Sequence, residues 1–397
     1  MNKMKCLFVS NVSLADMNGA ATSLRTFLQH QDFLNIDLVL PLFIFNIFKW
    51  PKLIHQNLRI LPTTINKVYF FFLPWSRCFE GSQTSRKAVA AYTLSNFIAY
   101  FFRPILKLLL KQPKYKFIYL NSVTLNSLVS TQYKTLLHVR EVLDDHSPLL
   151  LKTLDNLRKA EGLIFIDKRT RYAFRRHIKS NPHPAECIIN NPFDMSAARH
   201  LRQKKLRFIT TSSLHHQSET IFSFIGAVDK IKGVDFIIRA FLKAKPLRAK
   251  LFIIGSGNIH YFNYCKSLAA NTQSVVFFGR LKPTAMTEIY ATSDYILRGD
   301  PDFRIGRTIF EALYTGCKVI VPKEYSDDVI EPELVKFSNQ VFFYKPRDLD
   351  SLGKVIKEAS EKMGKSSYNG PTGNISEHCQ SIKTFITNLL MDQNKKM

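Results

Sequence analysis

The residues best equipped for chemistry in this 397-residue chain lie in the stretch Arg304-Ile-Gly-Arg-Thr-Ile-Phe-Glu-Ala-Leu-Tyr-Thr-Gly-Cys-Lys-Val-Ile-Val-Pro322. Gly306 opens a short helical pattern, Glu311 stands just past its first turn, and Gly316 closes it before the β-rich run Cys317 to Val321. A loop feeding a helix N-terminus presents backbone N–H groups at the positive end of the helix dipole, a ready anion site. A carboxylate one turn in can accept hydrogen bonds from hydroxyls attached to that anion, and phosphate with hydroxyls is the chemistry of a nucleotide sugar. The spacing also has a plainer meaning. Arg307 and Glu311 stand at i,i+4 and could form a surface ion pair of about 0.3–0.5 kcal/mol, with Ile309, Phe310 and Leu313 as the core face.

Other segments must position this helix. Residues 225–234 read Ile-Gly-Ala-Val-Asp-Lys-Ile-Lys-Gly-Val: a strand ending at Gly226, a loop, then Lys232-Gly233 at a helix start. In a parallel sheet ligands sit beyond the carboxyl ends of the strands, so Lys232 can meet a diphosphate as a mobile point charge. Leu251-Phe-Ile-Ile-Gly-Ser-Gly-Asn258 and Val275-Val-Phe-Phe-Gly-Arg-Leu281 each read as a buried strand ending in glycine. Those glycines, Gly279 among them, admit a planar base beside the backbone or merely turn the chain.

Strand-like runs recur along the whole chain: Cys6–Ser10, Ile36–Leu40, Phe117–Asn121, Thr135–Val139, Gly162–Ile166 and Cys187–Ile189, then Ile221–Gly226, Lys250–Gly255, Ser274–Gly279, Tyr295–Leu297, Lys318–Pro322 and Gln340–Phe343. Helical patterns such as Asp235–Ala244 and Thr284–Ser293 separate them, which predicts an α/β chain of parallel sheets with helices on both faces. The series restarts after the basic stretch Asp194 to Arg207, which reads as a linker. The expected division is 1–200, 201–374 and a C-terminal helix over 375–397 crossing back to the first domain.

A hydrophobic share of 46% and a charged share of 22% describe a soluble globular protein, and a formal charge of +25 calls for acidic partners. Six cysteines without CxxC or Cys/His spacing argue against a zinc site or a disulfide framework and suit a reducing cytoplasm. The longest apolar stretch, Leu94 to Leu110, is interrupted by Asn96, Arg103, Pro104 and Lys107, so no membrane-crossing helix is expected. The region 45–117 stands out. It holds twelve Lys or Arg against one acid, Glu80, interleaved with Val68-Tyr-Phe-Phe-Phe-Leu-Pro-Trp75 and Phe97-Ile-Ala-Tyr-Phe-Phe102. That is the composition of a segment resting on an anionic membrane surface, or of ordinary core aromatics beside a solvated basic face. No nucleic-acid motif accompanies the charge.

Taken in order, the strand-Gly-x-Val-x3-Lys-Gly run, Ile-Ile-Gly-Ser-Gly, Phe-Phe-Gly, Asp294-Tyr-Ile-Leu and Gly-x4-Glu-Ala resemble glycosyltransferase family 4, densely over about residues 219–345. In the first half, Val9-Ser-Asn-Val…Asp16-Met-Asn-Gly19, Tyr119-Leu-Asn-Ser122, Leu137-His-Val-Arg-Glu141 and Ile188-Ile-Asn-Asn-Pro-Phe-Asp194 agree with it. The resemblance implies a GT-B fold, two Rossmann-like doubly wound domains facing a cleft, and retaining, metal-independent transfer from a nucleotide sugar such as a UDP- or GDP-sugar, without cofactor. Lys232 would bind the diphosphate and stabilise the leaving group. Backbone N–H groups at Gly306, Arg307 and Thr308 would hold phosphate, and Glu311 the ribose hydroxyls. His138 would orient the donor sugar, unless it is a structural histidine. Gly19, Gly226, Gly279 and Arg280 complete the expected donor site. The basic aromatic region adds a lipid-linked or polysaccharide acceptor at the cytoplasmic face of the inner membrane, as in capsule or lipopolysaccharide assembly.

Two positions depart from the family pattern. Ala227 stands where an arginine usually joins the lysine on the diphosphate, which leaves Arg280, Arg298 and Arg307 as candidate replacements. Phe303 stands where a first glutamate is usual, with Asp302 one residue earlier. The departures leave open a degenerate protein that binds nucleotide or glycan without turnover, and the charge leaves open a nucleic-acid binder. Asp300-Pro-Asp302 also spells the DxD of metal-dependent transferases, read here as a loop.

Overall fold

The computed structural model describes residues 3–16, 18–42, 48–79, 86–178, 185–211, 219–300, 305–323, 331–361 and 370–394. They form two compact units, Met1–Pro192 with Ile375–Met397, and Phe193–Asn374. The expectations placed on Asp302 and Phe303 lie outside the described residues.

The first unit runs β1 (Met4–Val9), α1 (Gly19–His30), β2 (Leu34–Pro41), α2 (Trp50–Arg59), β3 (Ile65–Phe71), α3 (Arg86–Leu110), β4 (Phe117–Leu120), β5 (Thr135–Val139), α4 (Leu150–Arg158), β6 (Gly162–Phe165), α5 (Lys168–Arg175) and β7 (Glu186–Ile188). Its sheet is parallel throughout, in the order β3-β2-β1-β4-β5-β6-β7. The second unit runs α6 (Ser196–Thr211), β8 (Thr220–Ile225), α7 (Val234–Ala244), β9 (Ala249–Ile254), α8 (Ile259–Leu268), β10 (Val275–Gly279), α9 (Pro283–Thr292), β11 (Tyr295–Leu297), α10 (Arg307–Thr315), β12 (Lys318–Pro322), α11 (Pro332–Lys336), β13 (Val341–Tyr344) and α12 (Leu349–Glu361). Its parallel sheet is ordered β10-β9-β8-β11-β12-β13. A last helix, α13 (Ile375–Asn394), returns to the first unit and packs Ile382 and Ile386 into the core beneath α1.

Strands in such sheets are covered on both faces, so they read as continuous apolar runs rather than alternating ones. Cys6, Leu7, Phe8 and Val9 of β1 are all buried, the odd members in one core layer and the even members in the other. In each sheet the strand order reverses once, between β1 and β4 and between β8 and β11. Ligands of doubly wound sheets bind beyond the carboxyl ends at such a reversal. The loops after β8 and β11 carry Lys232 and Arg298.

Three readings of the sequence need correction. The stretch Asp194–Arg207 is not a linker: most of it is α6, and the units divide at Pro192/Phe193. Its basic residues mislead because two are buried. Arg199 donates to the carbonyls of Tyr314 and Thr315, and Arg202 to those of Ala291 and Ser293, supplying donors to acceptors left open at the C-termini of α10 and α9. The aromatic run Val68–Phe71 belongs to β3, an edge strand with Phe70 packed on the core, not to a free interfacial segment. Finally, Tyr92–Leu110 within α3 is long and apolar enough to cross a membrane by length and composition, contrary to expectation. One such helix is weak support for crossing, and this one packs Ala99, Leu106, Leu109 and Leu110 into the fold.

Candidate functional site

Three loops meet where the second sheet reverses. After β8, Asp229 caps a 3₁₀ turn over Lys230–Lys232, accepting the Lys232 N–H at 2.8 Å, and Gly233 follows in the left-handed region (φ 61°). After β9, Gly255 (φ 138°) lies so close to its neighbour that a Cβ there would stand 1.7 Å from the Gly226 carbonyl oxygen. A Cβ on Gly233 would stand 1.9 Å from the Gly299 oxygen, beyond β11. The glycines are therefore needed for backbone-to-backbone contact, whatever they do for a ligand.

This packing brings two cations to one carboxylate. Lys232 Nζ lies 3.4 Å and Arg298 Nη2 2.9 Å from Asp300 Oδ2, and Asp300 Oδ1 has no hydrogen-bond partner among the described residues. Arg298 and Asp300 are buried, while Lys232 is partly open. The Arg298 guanidinium also abuts Gly306, the N-cap of α10, where a Cβ would stand 3.0 Å from Nη2. Gly306 has no side chain to cap the first helical turn. Two cations against one carboxylate, beside the positive end of a helix, leave a net attraction for an anion. Of the three arginines considered in the sequence, Arg298 is the one that shares Asp300 with Lys232.

The ion pair suspected between Arg307 and Glu311 does form, with Arg307 Nε 2.6 Å from Glu311 Oε1 and the guanidinium over the Phe193 ring at 4.9 Å. Tyr290 donates its hydroxyl to Glu311 Oε2 at 2.6 Å, and burial together with this carboxylate holds the Tyr290 phenol well above its ordinary range. A carboxylate offers about four lone-pair positions. Two are taken, so the pair orients Glu311 and still leaves room for hydroxyl donors. Tyr290 escaped the sequence reading because it sits on another helix, α9.

The remaining expected positions differ in setting. Gly226 ends β8, with its N–H donated to Ile254. Gly279 closes β10 at φ 68° with nothing within 4 Å of its Cβ position, an open margin beside the backbone. Arg280 after it is exposed, and Thr308 is half-buried in the first turn of α10. In the first unit, Gly19 begins α1 behind its Asn18 cap.

His138 is wholly buried near the end of β5, not presented on an open strand end. Its Nδ1 lies 2.8 Å from the Tyr119 hydroxyl and 3.4 Å from Arg140 Nη2. Arginine can only donate, so Nδ1 accepts and the proton resides on Nε2, which has no partner among the described residues. Burial, with Arg140 and His378 nearby, holds its pKa well below the ordinary value, so the ring is neutral. Arg140 reaches on to Asn121 at 2.9 Å and Asn191 at 2.6 Å, and Glu141 takes Ser122 Oγ at 2.6 Å. Enclosure on this scale fits the structural reading of His138 better than contact with a sugar.

Two doubly wound parallel-sheet units, with the C-terminal helix returned to the first, define a chain of the GT-B fold. Residues 219–361, within the second unit, match the family model glycosyl transferases group 1. Among solved structures, Anabaena HepE in complex with UDP is similar over 99% of this chain and 100% of its own, with 17% identity and a TM-score of 0.65. The lipopolysaccharide outer core galactosyltransferase WaaB matches at 13% identity, 98% and 100% coverage and a TM-score of 0.62. Sucrose-phosphate synthase from Thermosynechococcus elongatus matches at 11% identity, 98% and 100% coverage and a TM-score of 0.60. No sequence among curated proteins matches the chain.

Proposed function

We propose that this protein transfers a sugar from a nucleotide diphosphate to a hydroxyl, with retention and without a metal. The observation that carries the reading is the convergence of Lys232 and Arg298 on Asp300, with Arg298 against Gly306 at the N-terminus of α10, inside the stretch that matches the group 1 family model. Lys232 and Arg298 share Asp300 when the site is empty and turn to the diphosphate when it is filled. They then stabilise the charge that develops on the leaving nucleoside diphosphate, where preorganised donors are most effective. Amide groups at Gly306, Arg307 and Thr308 hold the terminal phosphate. Glu311, steadied by Arg307 and Tyr290, accepts the ribose hydroxyls, and the base lies along Gly279 and Arg280. His138 is a positioning residue that fixes Tyr119 and Arg140. The UDP bound by HepE makes uracil the first base to try.

The acceptor is a lipid-linked or polysaccharide hydroxyl, and the protein works at an anionic membrane surface on the cytoplasmic side, in surface polysaccharide assembly. The basic region 45–117 supports this. Calorimetry and donor-hydrolysis assays with UDP-, GDP- and ADP-sugars, with and without EDTA, test the reaction. One donor should be bound and turned over with EDTA present. Binding without turnover would favour the degenerate reading, and loss of activity in EDTA would overturn metal independence.

A further inference from the structure

The exposed face of α3 and the cavity beneath its opposite face have no part in the donor site. Phe97, Tyr100, Phe101 and Leu108 are 60%, 68%, 63% and 70% exposed, joined by Leu94 and Ile105. Phe97, Phe101, Ile105 and Leu108 recur at three- and four-residue spacing, so they form one apolar stripe along the helix. A soluble protein rarely leaves such a stripe uncovered without a use.

On the other side of the helix lies a cavity of about 270 Å³, whose lining includes Trp75, Tyr100, Arg103, Ser127, Lys152 and Thr153. Its chemistry is anionic-ligand chemistry: two exposed cations, one from α3 and one from α4, and no carboxylate in the lining. Neither Arg103 nor Lys152 has an ion-pair partner among the described residues. Ser127 Oγ is buried in the cavity wall with no hydrogen-bond partner among the described residues. Tyr100 belongs both to the cavity lining and to the exposed flank of α3, so it links the cationic cavity on one side of the helix to the apolar stripe on the other.

We infer that this cavity binds the phosphate headgroup of an anionic membrane lipid. The stripe of α3 rests among the acyl chains, and the lipid phosphate enters beside Tyr100 to meet Arg103 and Lys152. A lipid satisfies both features at once, apolar tail against the stripe and phosphate against the cations. A free phosphate would leave the stripe uncovered, and a membrane-crossing helix would carry Arg103 and Lys107 into hydrocarbon. The inference rests on the membrane-surface reading above and adds to it a defined headgroup site.

Vesicle co-sedimentation of the full-length protein tests it, using neutral phosphatidylcholine vesicles and vesicles with added phosphatidylglycerol. The wild type should bind the anionic vesicles selectively. Arg103→Gln with Lys152→Gln should weaken that binding about 30-fold, following the usual contribution of two basic residues near an anionic surface. Lys354→Gln with Lys357→Gln, which removes equal charge from exposed positions on α12, should leave it nearly unchanged. Equal losses in the two double variants would overturn the site, since net charge alone would then explain binding. If Phe97→Ser with Phe101→Ser abolishes binding while the Arg103/Lys152 variant binds normally, the headgroup site fails and the membrane reading stands. No preference of the wild type for anionic vesicles defeats both. Inorganic phosphate that protects Arg103 and Lys152 as well as the vesicles do would make this a free-phosphate site and overturn the lipid assignment. An unchanged thermal midpoint confirms that each variant is folded.

Discussion

Glu311 is a side chain held from two directions, by Arg307 and by Tyr290. Its i,i+4 pairing with Arg307 is real, yet the pair is half-buried and tied to Tyr290, so it fixes a carboxylate in place rather than dissolving the site. Tyr290→Phe should therefore cost about 0.5–1.5 kcal/mol in urea unfolding and weaken nucleotide binding only slightly, because Arg307 still holds the carboxylate. A loss of binding as large as that of Glu311→Ala would show that Tyr290 itself touches the ligand. His378 offers a second residue-level test. Burial lowers its pKa to about 4, from an ordinary value near 6.5. Between those values the unfolded chain takes up a proton that the folded chain refuses. Its stability contribution is thus complete above pH 6.5 and declines as the pH falls toward 4, by up to about 3 kcal/mol. His378→Asn should lose less stability than the wild type between pH 7 and 4.5, and an identical pH dependence would contradict the assignment. The carboxylate and lysine of the donor site were legible as residue types at a spacing. Arg298 was legible only as one of three arginines, because choosing among them requires the register that sets β11 beside β8.

Among the elements, the glycine loops make the sharpest prediction. Gly255→Ala would press a methyl group into the Gly226 carbonyl and should destabilise the second unit by several kcal/mol. Gly279→Ala meets open space and bears only the left-handed backbone penalty, about 1–2 kcal/mol. Thermal unfolding of the two variants should separate them clearly, and equal shifts would mean that the close approach is not real. Most strands could be read from the sequence, since fully covered parallel strands are unbroken apolar runs, as at Thr135–Val139 and Lys318–Pro322. β3 was missed because Val68–Phe71 continues into more aromatics without a break and carries the same residue types as an interfacial segment. α6 was missed because a basic helix reads as solvated, and only the tertiary fold reveals that Arg199 and Arg202 point at buried carbonyls. In both cases residue type was informative and burial was not.

For the whole molecule, a charge of +25 is better suited to meeting phosphates than to compactness, since self-repulsion opposes folding. Its uses divide between the two units: a donor cluster at the reversal of the second sheet, and a basic, aromatic surface on the first. The central claim is that Lys232, Arg298 and the N-terminus of α10 form a diphosphate site. Lys232 is the member to test, because it is partly open and its removal still leaves Asp300 paired with Arg298. Isothermal calorimetry of the wild type and Lys232→Ala with UDP, GDP and ADP is the most direct measurement. The wild type should bind one of the three, and Lys232→Ala should bind it about 10- to 100-fold more weakly with little change in thermal stability, as expected for one lost charge-assisted contact. Undiminished binding by Lys232→Ala, or no binding of any of them by the wild type, would contradict the account.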